Sequence, residues 1–186
     1  MRIYLAGPEV FLPDAALIAD RKRALCAELG AEGVFPTDPV SCPLADEATS
    51  EFLAIYLRNE AHIRGCGALL ANLTPFRGPS ADAGTVYELG FMRALGRPVA
   101  GYSNVGTRFT ERTLIFLGDA ARQRGDGSWE DGEGLQVENF GLRDNLMVDG
   151  GVCAARGVFV SRDVLPADQW RDLTNFEVAL RALLQR

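Results

Sequence analysis

Short apolar runs alternate along the chain with longer stretches in which apolar residues recur at helical spacing. Short runs bounded by Gly or Pro are typical of buried strands, whereas the periodic stretches predict amphipathic helices. The predicted strands are Arg2–Ala6, Gly33–Pro36, Cys66–Ala71, Pro98–Tyr102 and Gly157–Ser161. The predicted helices run from the cap Asp14 to Leu29, over Ala48–Arg64, over Ala83–Leu95 and over Ala167–Leu184. Strands that alternate with helices indicate parallel βαβ units.

This order of elements predicts an α/β fold, a doubly wound parallel sheet with helices on both faces. Crossovers between parallel strands are right-handed, and ligands bind where the carboxyl ends of the strands meet. Those ends are the loops after Ala6, Pro36, Ala71 and Tyr102. Neither a repeat nor a linker interrupts the pattern, so we expect one domain over residues 1–186.

One segment departs from this alternation. From Gly118 to Gly134 the chain is polar and rich in glycine, which predicts a loop between two structured parts. A mobile lid and a solvated surface insertion both fit that composition.

Composition and charge exclude several classes of function. The chain has 186 residues, a net charge of −6 and a pI near 4.9, which argue against a broad nucleic-acid-binding surface. The N-terminus enters a strand pattern at once, and no run is apolar enough to span a membrane, so we expect a cytoplasmic protein without a membrane partner. The four cysteines are widely spaced, which predicts reduced thiols.

The single histidine, His62, limits the available chemistry further. One histidine and no cluster of ligands make a zinc site unfavourable, and we expect neither a metal nor a cofactor. No G-x-S-x-G elbow accompanies His62, which is better explained as a partly exposed helix residue. Asp and Glu carboxylates are therefore better candidates for catalytic groups than histidine.

The stretch Ala71–Gly90 leaves a strand, crosses a loop and enters a helix, and it carries the best candidate carboxylate. Asp82 lies where an N-cap belongs. Glu88 falls one turn after Gly84, and helical side chains lean toward the N-terminus, so open space should lie beside its carboxylate. The positive end of the helix should favour the ionised form, as a nucleophile requires. The alternative is that both acids are ordinary first-turn residues.

Four motifs together resemble the nucleoside 2-deoxyribosyltransferase family. They are Ile3-Tyr4-Leu5-Ala6-Gly7-Pro8, Asn72-Leu-Thr-Pro-Phe-Arg-Gly78, Asp82-x-Gly84-Thr85-x-x-Glu88-x-Gly90 and Asn145-Leu-Met147. They follow the family's order and span most of the chain. The resemblance implies a flavodoxin-like (Rossmann-like) fold and an enzyme of nucleotide salvage that exchanges the base of a 2'-deoxyribonucleoside for a free nucleobase.

The resemblance also implies catalytic roles. Glu88 would attack the anomeric carbon and hold a covalent deoxyribosyl intermediate, so that the configuration is retained and the kinetics are ping-pong. Tyr4, on a neighbouring strand, would orient that carboxylate, although a core tyrosine is an equal alternative. Asp82 would bind the sugar hydroxyl end, be a plain N-cap, or do both.

Further positions are expected to bind substrate. Gly7 and Phe11 resemble the loop that stacks on the base, with Phe11 as plain core the alternative. Asn59 stands where some family members have Asp, and an amide is a poor source of the proton that a departing base needs. Asp38 and Asp82 are therefore substitute acids. A helix surface residue is an equal alternative for Asn59. The other positions assigned to substrate binding are Gly84, Asn72, Asp144 and Asn145. Asn72 and Arg77 are also expected to shape the loop after the third strand, and Arg77 is a candidate to pair with a carboxylate.

The Asp144–Met147 segment resembles the part that the family inserts into a neighbouring subunit's site. Asn145 would then contact the sugar or Glu88 of a partner chain, and the active unit would be a dimer or larger. The alternative is an Asp-Asn turn before a buried pair, Leu146 and Met147.

Two other functions compete with base exchange. A related hydrolase would cleave the same bond of a 2'-deoxynucleoside 5'-monophosphate and would need a phosphate pocket, to which Ser80 and Arg77 are candidates to contribute. A non-catalytic nucleotide-binding module would bind its ligand without exchanging bases.

Overall fold

The computed structural model of the protein describes residues 1–42 and 49–185. Its strands are β1 Arg2–Ala6, β2 Glu32–Val34, β3 Ala68–Asn72, β4 Val99–Ser103, β5 Arg122–Gln123, β6 Trp129–Glu130, β7 Gln136–Val137 and β8 Phe159–Ser161. Its α-helices are α1 Ala15–Glu28, α2 Glu51–Gly65, α3 Ala83–Ala94, α4 Phe109–Leu117, α5 Leu146–Ala154 and α6 Thr174–Leu184. Single 3-10 turns cover Pro8–Phe11, Gly118–Ala120 and Pro166–Asp168.

Within the described residues, five parallel strands form the central sheet in the order β2-β1-β3-β4-β8. This order is the flavodoxin-like one and confirms the predicted fold. In it β1 lies between β2 and β3, with Tyr4 paired to Leu69. The loops that follow these three strands therefore open at the same edge of the sheet.

Two apolar clusters cover the two faces of the sheet, because successive side chains of a strand point to opposite faces. On one face Leu5, Leu70 and Tyr102 pack with residues of α1 and α6. On the other face Tyr4, Ala6 and Leu69 pack with residues of α2, α3 and α5. The helices therefore lie on both faces, as the sequence predicts.

Several predicted elements have different bounds. The second helix begins at Glu51, and position 48, where the sequence prediction starts it, lies outside the described residues. The closing helix begins only at Thr174, whose N–H is bonded to the Asp172 side chain at 2.8 Å, and a separate 3-10 turn precedes it. The prediction of one long closing helix is therefore wrong at its start.

The glycine-rich segment is not a plain loop. In the described chain its strands β5 and β6 form a small antiparallel sheet with β7, which follows the segment, and Trp129 pairs with Val137. Asp131 tightens one turn by accepting the backbone N–H groups of Glu133 and Leu135 at 2.9 Å. No helix among residues 1–42 and 49–185 has the length and apolar character needed to cross a membrane.

Candidate active site

A cavity of about 700 Å³ opens at the carboxyl edge of the sheet, between the loops after β1 and β2 and the helices α2 and α3. This volume lies in the range of small-molecule sites. Its described lining is mostly apolar in residue type and includes several acids. The lining residues are Gly7, Val10, Phe11, Pro36, Thr37, Asp38, Pro39, Val40, Ile55, Arg58, Asn59, Asp82, Gly84, Thr85 and Glu88.

The first turn of α3 forms one wall of this cavity. Asp82 is the N-cap, and its Oδ2 accepts hydrogen bonds from the backbone N–H of Thr85 at 2.9 Å and from the Thr85 hydroxyl at 3.0 Å. Among the described residues, and apart from the backbone of α3 itself, a Cβ atom added at Gly84 would have one neighbour within 4 Å, Oδ2 of Asp82 at 3.1 Å. Gly84 therefore leaves open space at this wall, which is the gap that the sequence predicts beside Glu88.

Glu88 is held from one side only. The Tyr4 hydroxyl donates to Oε1 of Glu88 at 2.6 Å, and Nδ2 of Asn59 donates to the same oxygen at 3.3 Å. No described residue forms a hydrogen bond with Oε2. One carboxylate oxygen is thus fixed by two donors, and the other remains available to a molecule in the cavity.

Burial raises the pKa of Glu88 to about 7. The hydrogen bond from Tyr4 lowers this pKa, and the neighbouring charge of Asp82 raises it. Burial of this 9% exposed residue therefore opposes the ionised form that the helix start is expected to favour. Burial and the Glu88 charge raise the pKa of Tyr4 far above its ordinary value, so its phenol stays a neutral donor.

The loop after β2 supplies the opposite wall and is fixed by the sole histidine. Asp38 lines the cavity, and its carboxylate accepts hydrogen bonds from Arg23 at 2.6 Å and from the backbone N–H of Phe35 at 2.8 Å. Nε2 of His62 donates to the Asp38 carbonyl oxygen at 2.9 Å, and its ring stacks on Tyr4 with centroids 6.3 Å apart. His62 is 3% exposed, which corrects the expectation of a partly exposed residue.

The described lining of the cavity includes one exposed aromatic ring, that of Phe11. Phe11 is 58% exposed and stacks on Phe76, with ring centroids 5.5 Å apart and an interplanar angle of 11°. The alternative that Phe11 is a core residue is therefore wrong. The Arg77 guanidinium lies 4.6 Å from the Phe76 ring centroid, and no described carboxylate forms an ion pair with it. Phe11 offers a flat apolar surface of the kind that a heterocyclic base stacks against.

Three of the predicted substrate-binding residues, Asn72, Asp144 and Asn145, lie outside the described lining of this cavity. Asn72 is buried at the end of β3, where its Nδ2 donates to Oε1 of Glu9 at 2.7 Å. Asp144 is fully buried and accepts hydrogen bonds from the Ser80 hydroxyl at 2.9 Å, the Ala81 N–H at 3.0 Å and the Arg112 guanidinium at 3.2 Å. Asn72 and Asp144 fix the loops around the site, and the structure does not bring them to the cavity.

Asn145 is the N-cap of α5, where its side chain accepts the N–H of Met147 at 3.0 Å. Leu146 and Met147 are 39% and 73% exposed, so the alternative of a buried pair is wrong. The delivery of Asn145 to a neighbouring subunit's site stays a prediction, since the structure describes one chain.

Sequence reasoning missed a buried ion pair beside this site, although a signal was present. Lys22 is 1% exposed and contacts Glu9 at 2.5 Å. It lies midway between Ile18 and Cys26, on the stripe of α1 that faces the core. A lysine at that position of an apolar stripe requires a buried acid as its partner.

Comparison with known proteins places this geometry in a family. The family model described as nucleoside 2-deoxyribosyltransferase matches residues 3–147. An uncharacterized protein of Schizosaccharomyces pombe is 34% identical over 172 residues, which cover 87% of this chain and 81% of the yeast protein. The solved 2-desoxiribosyltransferase of Leishmania mexicana is 32% identical with a TM-score of 0.57, over 79% of this chain and 84% of that one.

A conserved protein of Enterococcus faecalis has a similar solved structure at 20% identity. Its TM-score is 0.54, over 100% of this chain and 98% of that chain. At this identity the likeness shows the fold alone.

Proposed function

This chain belongs to the nucleoside 2-deoxyribosyltransferase family, and from that premise we propose that it exchanges the base of 2'-deoxyribonucleosides through a covalent deoxyribosyl–Glu88 intermediate. The observation that carries the proposal is the arrangement of Glu88 at the wall of a cavity, with Oε1 held by Tyr4 and Asn59 and with no hydrogen bond from a described residue to Oε2. A carboxylate fixed in this way is oriented for attack and cannot rotate away from the substrate.

In the first half of the reaction, Oε2 of Glu88 attacks the anomeric carbon of the sugar. The new C–O bond forms as the N-glycosidic bond breaks, and the bonding electron pair leaves with the base. The gap at Gly84 gives the sugar room beside the carboxylate. In the second half, a nitrogen of the incoming base attacks the same carbon from the face that the first base left, loses its proton and releases Glu88. Two displacements at one carbon retain the configuration.

The departing base must gain a proton. Asn59 is close enough to Glu88 to orient the base, but an amide is a poor acid. Both oxygens of the Asp38 carboxylate are already occupied, one by Arg23 at 2.6 Å and the other by the Phe35 N–H at 2.8 Å. We therefore assign this proton to water in the open cavity, with Asn59 and the ring of Phe11 orienting the base.

The charges in the cavity favour a nucleoside over a nucleoside monophosphate. The charged residues in its described lining are Asp38, Asp82, Glu88 and Arg58. The start of α3 is a helix N-terminus of the kind that binds phosphate, but the Asp82 carboxylate already accepts one of its N–H groups, that of Thr85. A phosphate at this position would meet that carboxylate at close range and be repelled. The hydroxyl end of a sugar would instead be a donor to Asp82.

Mass spectrometry of the intact protein mixed with a 2'-deoxyribonucleoside tests the proposal. We expect a deoxyribosyl adduct on the peptide that contains Glu88, and base exchange when a second nucleobase is added. Glu88→Ala should lose the adduct and at least a thousandfold of the exchange rate while staying folded.

Glu60→Gln is the matched control, because Glu60 also accepts a tyrosine hydroxyl, that of Tyr56 at 2.6 Å, and does not line the described part of the cavity. It should keep the wild-type rate. Release of free sugar only from the 5'-monophosphate would reject the transferase in favour of the hydrolase. Ligand binding without adduct or exchange would leave a binding module.

A further inference from the structure

Glu9 lies beneath the cavity and is completely buried on the 3-10 turn Pro8–Phe11. Its Oε1 accepts hydrogen bonds from Lys22 of α1 at 2.5 Å, from Asn72 of β3 at 2.7 Å and from Tyr102 of β4 at 2.8 Å. Burial raises the pKa of Glu9, but the charge and hydrogen bond of Lys22 together with Asn72 bring it below its ordinary value. The carboxylate is therefore ionised and ties its turn to three elements of the fold.

The second oxygen of Glu9 has no such partners. In the part of the chain that the structure describes, Oε2 is the one buried side-chain oxygen or nitrogen without a hydrogen bond. It lies against Gly7, and a methyl group added there would overlap Oε2 and approach Cβ of Asn72 to 2.9 Å. Gly7 is thus required by the carboxylate behind it, and Gly7 itself lines the cavity.

This arrangement is a poor device for stability alone. Two charges taken out of water lose solvation that their attraction recovers only in part, and an unsatisfied buried oxygen adds to that cost. An apolar pair of similar volume would stabilise the fold at least as well. What the charged pair adds is a fixed position for the segment that it holds.

We propose that the buried Glu9–Lys22 pair is a positioning device for the cavity, holding the Gly7–Phe11 segment where it forms one wall. That segment contributes Gly7, Val10 and Phe11 to the lining. Glu9 has no hydrogen bond to Glu88 or Tyr4 among the described residues. Its removal should therefore disturb the binding of substrate and leave the carboxylate chemistry intact, an expectation that rests on the proposed function.

Two variants distinguish the effect of the Glu9–Lys22 pair on stability from its effect on the position of the cavity wall. Glu9→Gln alone leaves the Lys22 ammonium buried without a counter-charge and should lower Tm by roughly 10 °C. The double variant Glu9→Gln/Lys22→Met removes both charges and should recover most of that loss. It should nevertheless raise KM for a 2'-deoxyribonucleoside about tenfold, with kcat within about twofold of wild type, because uniform binding is lost.

Hydrogen exchange supplies a measurement that needs no activity. In the double variant, the peptide that contains Gly7–Phe11 should exchange at least about tenfold faster than in wild type. Asp14→Asn/Arg171→Gln is the matched control, since it neutralises an ion pair between α1 and the segment before α6, and Asp14 and Arg171 do not line the described part of the cavity. Its KM and its exchange at Gly7–Phe11 should stay at wild-type values.

A milder variant decides the matter if the double variant does not fold. Tyr102→Phe removes one donor to Glu9 and keeps the ion pair, and it should raise KM about threefold with faster exchange of the same peptide. Wild-type KM and wild-type exchange in the folded variants would overturn the proposal. If the wild-type protein exchanges no bases, the proposed function fails, while the exchange measurement still decides whether Glu9 positions the wall.

Discussion

Replacing the candidate nucleophile with its neutral isostere should stabilise the protein, and the gain should depend on pH. Burial raises the pKa of Glu88 from an ordinary 4.5 to about 7. A tenfold change in an equilibrium constant corresponds to about 1.4 kcal/mol, so raising this pKa from 4.5 to about 7 costs the ionised, folded protein roughly 3 kcal/mol. Glu88→Gln keeps the shape of the side chain and removes the charge that carries this cost.

The sign of this pH dependence follows from the pH at which the folded and the unfolded protein each lose the Glu88 proton. Between pH 4.5 and about 7 the folded protein keeps Glu88 protonated, whereas the unfolded chain has already lost that proton. Wild-type stability therefore falls as pH rises through this window. The glutamine does not titrate, so its advantage is absent at pH 4.5 and reaches roughly 3 kcal/mol at pH 8, equivalent to roughly 10 °C in Tm.

Urea unfolding at pH 4.5 and pH 8 measures the difference directly. The slopes of the unfolding curves should agree between the two proteins, so that the midpoints report stability. Glu60→Gln serves as control, since Glu60 lies outside the described lining of the cavity and should show no gain at pH 8. A Glu88→Gln protein with the same advantage at both pH values, or with none at pH 8, would refute the reasoning.

Three further changes test the contacts around this carboxylate and the loop beside it. Tyr4→Phe removes the hydrogen bond that lowers the pKa of Glu88, so the rising limb of kcat/KM with pH should move up by about one unit or more. Asn59→Asp places a second carboxylate 3.3 Å from the first, which should also move the limb to higher pH and split it into two steps. Asp144→Asn leaves the buried Arg112 guanidinium without its carboxylate and should lower the free energy of unfolding by about 3–5 kcal/mol in urea.

Two of these changes, Tyr4→Phe and Asp144→Asn, have a matched partner on the surface. Tyr56→Phe removes an exposed tyrosine that donates to Glu60 and should leave the pH profile unchanged. Glu177→Gln breaks a surface pair with Arg181 and should cost less than about 1 kcal/mol. A limb that stays in place in Tyr4→Phe would remove Tyr4 from the tuning of Glu88. Equal losses from Asp144→Asn and Glu177→Gln would show that Asp144 does not fix its loop.

The sequence predicts the sheet well because its strands are continuous apolar runs, buried on both faces by helices. It predicts the later elements poorly because their stability comes from tertiary contacts. Helix α5 contains Gly150 and Gly151, which have low helix propensity, yet it packs on α3 and is capped by Asn145. Strands β5 to β7 are two residues each, too short for a period to be read.

The face of the sheet on which a strand residue lies decides whether its side chain can reach the cavity. Tyr4 shares a face with Ala6, toward α2 and α3, and therefore points to Glu88. Asn72 is two residues after Leu70, on the opposite face, so it meets Glu9 instead. The alternation was readable from the sequence, but the family pattern gave Asn72 a site role without regard to the face it occupies.

The two faces of the sheet also explain how a charged pair on one face can influence a cavity on the other face. The Glu9–Lys22 pair lies with Tyr102 and Phe176 on the face covered by α1 and α6. The Gly7–Phe11 segment passes over the end of β1, so its backbone borders both faces at once. Because Gly7 has no side chain, the Glu9 carboxylate can contact this segment from the side opposite the cavity. The ion pair on the face covered by α1 and α6 therefore fixes the position of a cavity wall on the other face. Replacing Glu9 should therefore change KM and Tm by independent amounts, and the double variant measures both quantities.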